Sequence, residues 1–169
     1  VDEDFVASNK YSITLATKEY VKGDGFDSDA IWRDMASTSG LAIVNSALVP
    51  TRNNFAFNPP SKSFSLNQVE GLFRENETID PVEVIVRDLE SGELIPLTVV
   101  GVLDSFASRG LLMPAGIFTS TSTLSETLSR NVVPTQLFFK IDEGVDDADN
   151  IIEAALFHHG LETVDTHEL

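Results

Sequence analysis

The sequence predicts an α+β fold, a layer of two strand-helix-strand units carrying a β-rich inserted subdomain. Three observations predict it. Strand, helix and strand patterns follow one another in residues 9–49 and again in 135–167. Both helices end in Gly-Leu: Gly40-Leu41-x-x-Val44-Asn45-Ser46 is echoed 120 residues later by Gly160-Leu161-x-x-Val164-Asp165-Thr166. Between the two units the pattern is mostly strand, with one strong hairpin. Two such units can pack as one sheet with both helices on one face, a ferredoxin-like layer. The core is then expected in residues 1–50 and 116–169, and the insertion in 51–115.

The elements follow in order. "NKYSITLAT" (9–17) alternates, with Tyr11, Ile13 and Leu15 on one face, and reads as a strand. "KGDGFDSD" (22–29) has turn chemistry. A helix over about 29–39 takes Asp27 or Ser28 as its cap and turns Ile31, Trp32, Met35 and Ala36 inward. Gly40 stands where the chain needs a left-handed residue. "LAIVNSALV" (41–49) is a strand that Pro50 stops. Residues 51–63 have turn composition, and "FSLNQVEGLF" (64–73) is β-like but broken by Gly71.

Next comes the hairpin. "PVEVIVRDL" (81–89) alternates Val82, Val84 and Val86 with charged residues, "ESGE" turns, and "LIPLTVVGVLD" (94–104) returns. One of its faces is expected to be solvated. Residues 105–116 read as a loop with apolar content, and "IFTS" (117–120) as a short strand. Thr123 followed by Glu126 predicts a capping box in 120–130. "TQLFFKID" (135–142) is a strand. A helix over about 147–159, capped by Asp146, places Ala148, Ile151, Ile152, Ala155 and Leu156 on its apolar face. "LETVDTH" closes the pattern as a last strand.

Composition narrows the function. The 169 residues are 42% hydrophobic, which is ample for a packed core, and the net charge of −16 repels nucleic-acid phosphates and anionic lipid. Nucleic acid is therefore set aside as a partner. With no cysteine, thiolate metal sites and cysteine nucleophiles are excluded. No run approaches a membrane span, and the start at Val1 points to a processed or excised piece of a longer chain.

The chemical candidates are few. His158 and His159 are adjacent on a helix, so they point about 100° apart rather than sharing the face a metal pair needs. A site from His159, Asp165 and His167 would require the helix and strand ends to meet. Histidines in a last helical turn are accounted for by the helix dipole. "DGFDSD" (24–29) breaks the calcium-loop pattern at Phe26, and capping explains Asp27 and Asp29. "SFASRG" (105–110) offers Ser105, Ser108 and Arg109, which read as a solvated turn. The sequence has no nucleophile elbow and no glycine-rich phosphate loop. No catalytic residue, metal or cofactor is expected. The loop residues Phe55, Phe57, Phe106, Leu111, Leu112 and Met113 either fold back on the core or form a contact patch for a partner or substrate.

Three stretches, in this order and spacing, resemble a known family. They are the hairpin V-x-V-x-V-R-D…L-T-V-V-G-V-L (82–103), the step "GIFTS" (116–120) and the strand–G-V-D–helix–G-L unit (135–161). Together they look like the extracytoplasmic domain of FtsX-like, MacB-type ABC transporter permeases, over roughly residues 42–165. The resemblance implies a porter-like core with an inserted subdomain, lying outside the cytoplasm between flanking membrane helices. It implies no enzymatic activity in this domain. It also implies a cytoplasmic ATPase reached through the parent permease, a second permease copy, and an exported substrate or extracytoplasmic partner of unknown identity. The insertion here is shorter and more hairpin-like than that of MacB itself, so the resemblance does not extend to tripartite-pump partners. A stand-alone extracytoplasmic module binding a ligand or metal is the alternative.

Overall fold

The computed structural model describes residues 1–8, 11–52, 66, 69, 72–104, 116–132 and 147–157. The chain divides into two compact units, Val1–Ser108 with Met113–Val132, and Arg109–Leu112 with Val133–Leu169. It is a mixed α+β protein with one mixed sheet and few helices among the described residues.

The first unit is built on a sheet of five strands. They are β1 (Ile13–Ala16), β4 (Leu41–Asn45), β5 (Val82–Arg87), β6 (Leu94–Leu103) and β7 (Ile117–Thr119). β6 pairs parallel with β4 along one edge, and β4 pairs antiparallel with β7. Along its other edge β6 pairs with β5 over residues 94–99 and with β1 over residues 101–103. A second, two-stranded sheet, β2 (Val21–Lys22) and β3 (Gly25–Phe26), turns through Gly23 at φ 60°.

The hairpin is where the alternation predicts it. However, β6, which falls in the expected insertion 51–115, lies at the centre of the sheet between β1 and β4. The reason can be read from its side chains. Residues 99–103 are all buried, as a strand covered on both faces requires. β5 and the first half of β6 instead alternate between half-buried or buried and exposed, and so keep the solvated face the pattern predicts.

Two apolar clusters sandwich the sheet. α1 (Glu3–Ser8) and α2 (Ser28–Ser37) cover one face, with Ile31, Trp32 and Met35 packed on Ile13, Ile43, Val100 and Leu103. Val49, Leu66, Leu72 and Leu128 cover the other, on Leu15, Ala42, Val44, Val99 and Val102. α2 is capped by Asp27, whose Oδ1 accepts from the Ala30 N–H at 3.1 Å, and Gly40 beyond its end has φ 85°. Both agree with the sequence.

Four details depart from it. First, strand 41–49 shortens to 41–45, because the Asn45 side chain accepts from the Ala47 N–H at 2.8 Å and caps a 3-10 turn over Ser46–Leu48. Second, Ile13 and Leu15 do not share a face. A bulge at Thr14 sends them to opposite clusters. Third, α3 (Thr121–Thr127) is capped by Ser120, whose Oγ accepts from the Thr123 N–H, so the Thr123–Glu126 box does not start it. Fourth, α1 has no counterpart in the sequence reading; Asp2 caps it through the Phe5 N–H.

In the second unit, α4 (Ala148–Phe157) forms as predicted. Ala148, Ile152 and Leu156, spaced four apart, carry its covered face. Ile151 is 61% exposed and Ala155 is exposed, because both are rotated off that line. The strand expectations at 135–142 and 161–167, and the Asp146 cap, lie outside the described residues.

Candidate functional site

The candidate site is an apolar groove in the first unit. Val86, Ile95 and Leu97 of the hairpin form one wall. Ile117, Phe118 and Thr119 of β7 and Leu124 of α3 form the other, with Val1 beside them. The groove encloses about 260 Å³. Period-2 alternation supplies the first wall, turning Val86 inward on β5 and Ile95 and Leu97 inward on β6. The second wall is held by hydroxyls. Ser120 Oγ lies 2.7 Å from Thr123 Oγ1, which accepts from the Gly40 N–H at 3.0 Å, and Thr119 Oγ1 donates to the Leu41 carbonyl at 2.7 Å. These bonds bind α3 and β7 to the start of β4.

A polar clasp joins the hairpin turn to the residues after α3. Arg130 donates from Nε and Nη2 to the two oxygens of Asp88, each at 3.1 Å, and its Nη1 lies 3.4 Å from Glu90. Glu93 accepts from the Ser129 N–H at 3.1 Å and from its hydroxyl. Asp88 also accepts from the Ser91 N–H and hydroxyl, which fixes the turn, and Gly92 completes it at φ 77°. Arg130, with help from Ser91, holds the Asp88 carboxyl far below the usual carboxylate range, and Ser129 lowers that of Glu93.

The sign of the pH effect follows. A carboxyl depressed in the folded state stabilises it above the unfolded-state pKa, and the contribution disappears as pH falls through the folded value. The clasp's contribution to stability is thus expected to be complete at neutral pH and to fall progressively below about pH 4. The urea midpoint of the wild type is expected to drop between pH 6 and pH 3 by more than that of an Arg130→Gln variant.

The chemistry available at the groove is limited. Its described lining carries no acidic, basic or imidazole side chain, and its apolar walls can receive an apolar group. Among the described residues no cluster of three or more His, Asp or Glu side chains could hold a metal ion. Asp27, weighed as a calcium ligand, caps α2 and meets Lys22 at 2.7 Å; these two contacts, Lys22 first, lower its pKa. No helix among the described residues is long and apolar enough to cross a membrane.

The contact residues expected from sequence, Phe55, Phe57, Phe106, Leu111, Leu112 and Met113, lie outside the described residues. So do Ser105, Ser108, Arg109, the three histidines and Asp165. The groove and the clasp were missed in the sequence. The alternation gave the inward face of the hairpin, but nothing local pairs Asp88 with a residue 42 positions away or Glu93 with one 36 away. No protein-family model, curated protein or solved structure matches the chain.

Proposed function

We propose that this chain is a non-catalytic extracytoplasmic domain of an FtsX-like, MacB-type ABC transporter permease. In this reading it carries ATP-driven motion to a substrate or partner outside the membrane. The three motif stretches support the reading, and the mixed α+β sheet is consistent with it. The observation that carries it is the hairpin's place in the sheet. Residues 98–103 of β6, a span of roughly 20 Å, are bonded to β4 on one edge and to β5 and β1 on the other. A close-packed element of that kind passes a displacement along its length instead of absorbing it. The parent permease would supply the membrane helices on either side, the contact with a cytoplasmic ATPase and a second permease copy.

Labelling tests the reading. The chain has no cysteine, so Glu83→Cys on the exposed face of β5 gives a single thiol in it. In the full-length parent chain, with any other cysteines replaced, a membrane-impermeant maleimide applied to intact cells is expected to label it. Labelling only after lysis would sink the proposal. The groove favours a second reading, a stand-alone extracytoplasmic ligand-binding module. A reading frame with its own start and stop and no flanking membrane spans would decide for that one.

A further inference from the structure

We propose that residues 84–97 are a hinged flap over the groove, held shut by the clasp. The argument begins with the ladder. β4 first pairs with β6 at Thr98, whose N–H donates to the Gly40 carbonyl at 2.7 Å. Among the described residues, Leu94–Leu97 therefore pair only with Val84–Arg87. Pro96 marks the change. The turn closes with the Asp88 N–H on the Glu93 carbonyl, so the Ile85–Pro96 pair, three residues back along β5, is one without mutual hydrogen bonds. The proline nitrogen then faces the β4 side, where it has no N–H to give, and the sheet ends there.

What projects is a two-stranded ribbon, a unit that is marginal by itself in water. Apolar packing beneath it is incomplete, since the groove lies between Val86, Ile95, Leu97 and the second wall. Its outer face has Ile85 at 68% exposed and adds no burial. Ile95 and Leu97, each 5% exposed, anchor it below, and the other tie is the clasp of Asp88, Glu90 and Glu93 on Ser129 and Arg130, which lies at the surface with the Arg130 and Glu90 side chains 40% and 76% exposed and is therefore breakable. Opening would bend the chain at Pro96–Thr98 and Val82–Val84 and expose the hairpin wall of the groove.

Amide hydrogen exchange on the chain tests this. In Arg130→Gln the ribbon released from the groove is expected to fray, so that exchange at Val84, Val86, Ile95 and Leu97, whose amides bond across it, quickens several-fold. Residues 41–45 and 99–103 are expected to keep their rates, and the neutral dye Nile red to bind more strongly; Arg130→Lys is expected to recover part of the protection. Unchanged ribbon rates, or equal quickening in ribbon and core, would overturn the proposal. Raising salt to about 1 M on the wild type gives an independent reading. Quickening confined to the ribbon supports the flap; none there refutes it, even if the variant fails to fold.

Discussion

Trp32→Ala is expected to be the most damaging single truncation in the first unit, at about 3–5 kcal/mol. Trp32 is 1% exposed and lies at the centre of the α2 face of the sheet. Its ring meets Phe5 edge-on at 5.4 Å and Phe118 at 6.4 Å, so it joins α1, α2 and β7 in one aromatic stack. Its indole N–H donates to the Tyr11 carbonyl at 3.3 Å. Alanine leaves a cavity walled by three separate elements, none of which can move in without uncoupling from the sheet. The loss is a large share of the roughly 5–15 kcal/mol that keeps a domain folded. Trp32→Phe is expected to cost clearly less, because it keeps the ring contacts and gives up the hydrogen bond. Urea denaturation followed by circular dichroism measures both, since the variants lack the chain's single tryptophan. Equal midpoints for the wild type and the alanine variant would show that the stack does not hold the unit together.

α2, which carries this residue, was legible in the sequence because every signal for it is local. Asp27 three residues before Ala30, the apolar residues at 31, 32 and 35, and Gly40 in the left-handed region all act within a turn or two. The hairpin was legible for the same reason. What escaped depends on a partner distant in sequence. The bulge at Thr14 exists only against Val102 and Leu103, and by adding one residue it reverses every face after it. Ser120 and Thr123 both resemble caps. The structure starts α3 at Ser120, and the Thr123 hydroxyl instead meets the Gly40 N–H, 83 residues away. β6 falls within the 51–115 segment yet lies between β1 and β4, because the hairpin signal hides which of its strands is central. The unbroken apolar run Val99–Leu103 was the available clue, since a strand with no polar alternation is covered on both faces. The clasp gave no such clue, because its acids and its arginine look like ordinary surface charge.

Gly101→Leu is expected to destabilise the first unit by about 1–3 kcal/mol, while Gly101→Ala stays within about 1 kcal/mol of the wild type. The difference comes from a second bulge. β4 pairs Ala42 with Val99 and then Ile43 with Gly101, so Val100 is an extra residue in β6. Val99 and Val102 face one cluster, and Val100 and Leu103 the other. Gly101 turns the same way as Val100, because a Cβ built on it points at Ile31 of α2 (3.4 Å), Ile13 of β1 (3.6 Å) and Ile43 of β4 (3.7 Å). Two consecutive residues therefore crowd the face on which α2 lies, and only a very small second one lets the helix approach. A methyl group meets its neighbours at ordinary contact distances and also restricts the unfolded chain. An isobutyl group must displace Ile31, and with it the helix that holds Trp32. The two variants have the same backbone demands and differ only in volume, so a gap between their urea midpoints isolates the packing of α2 on β6. If leucine unfolds at the same urea concentration as alanine, α2 is not seated on the bulge as closely as the 3.4 Å contact requires.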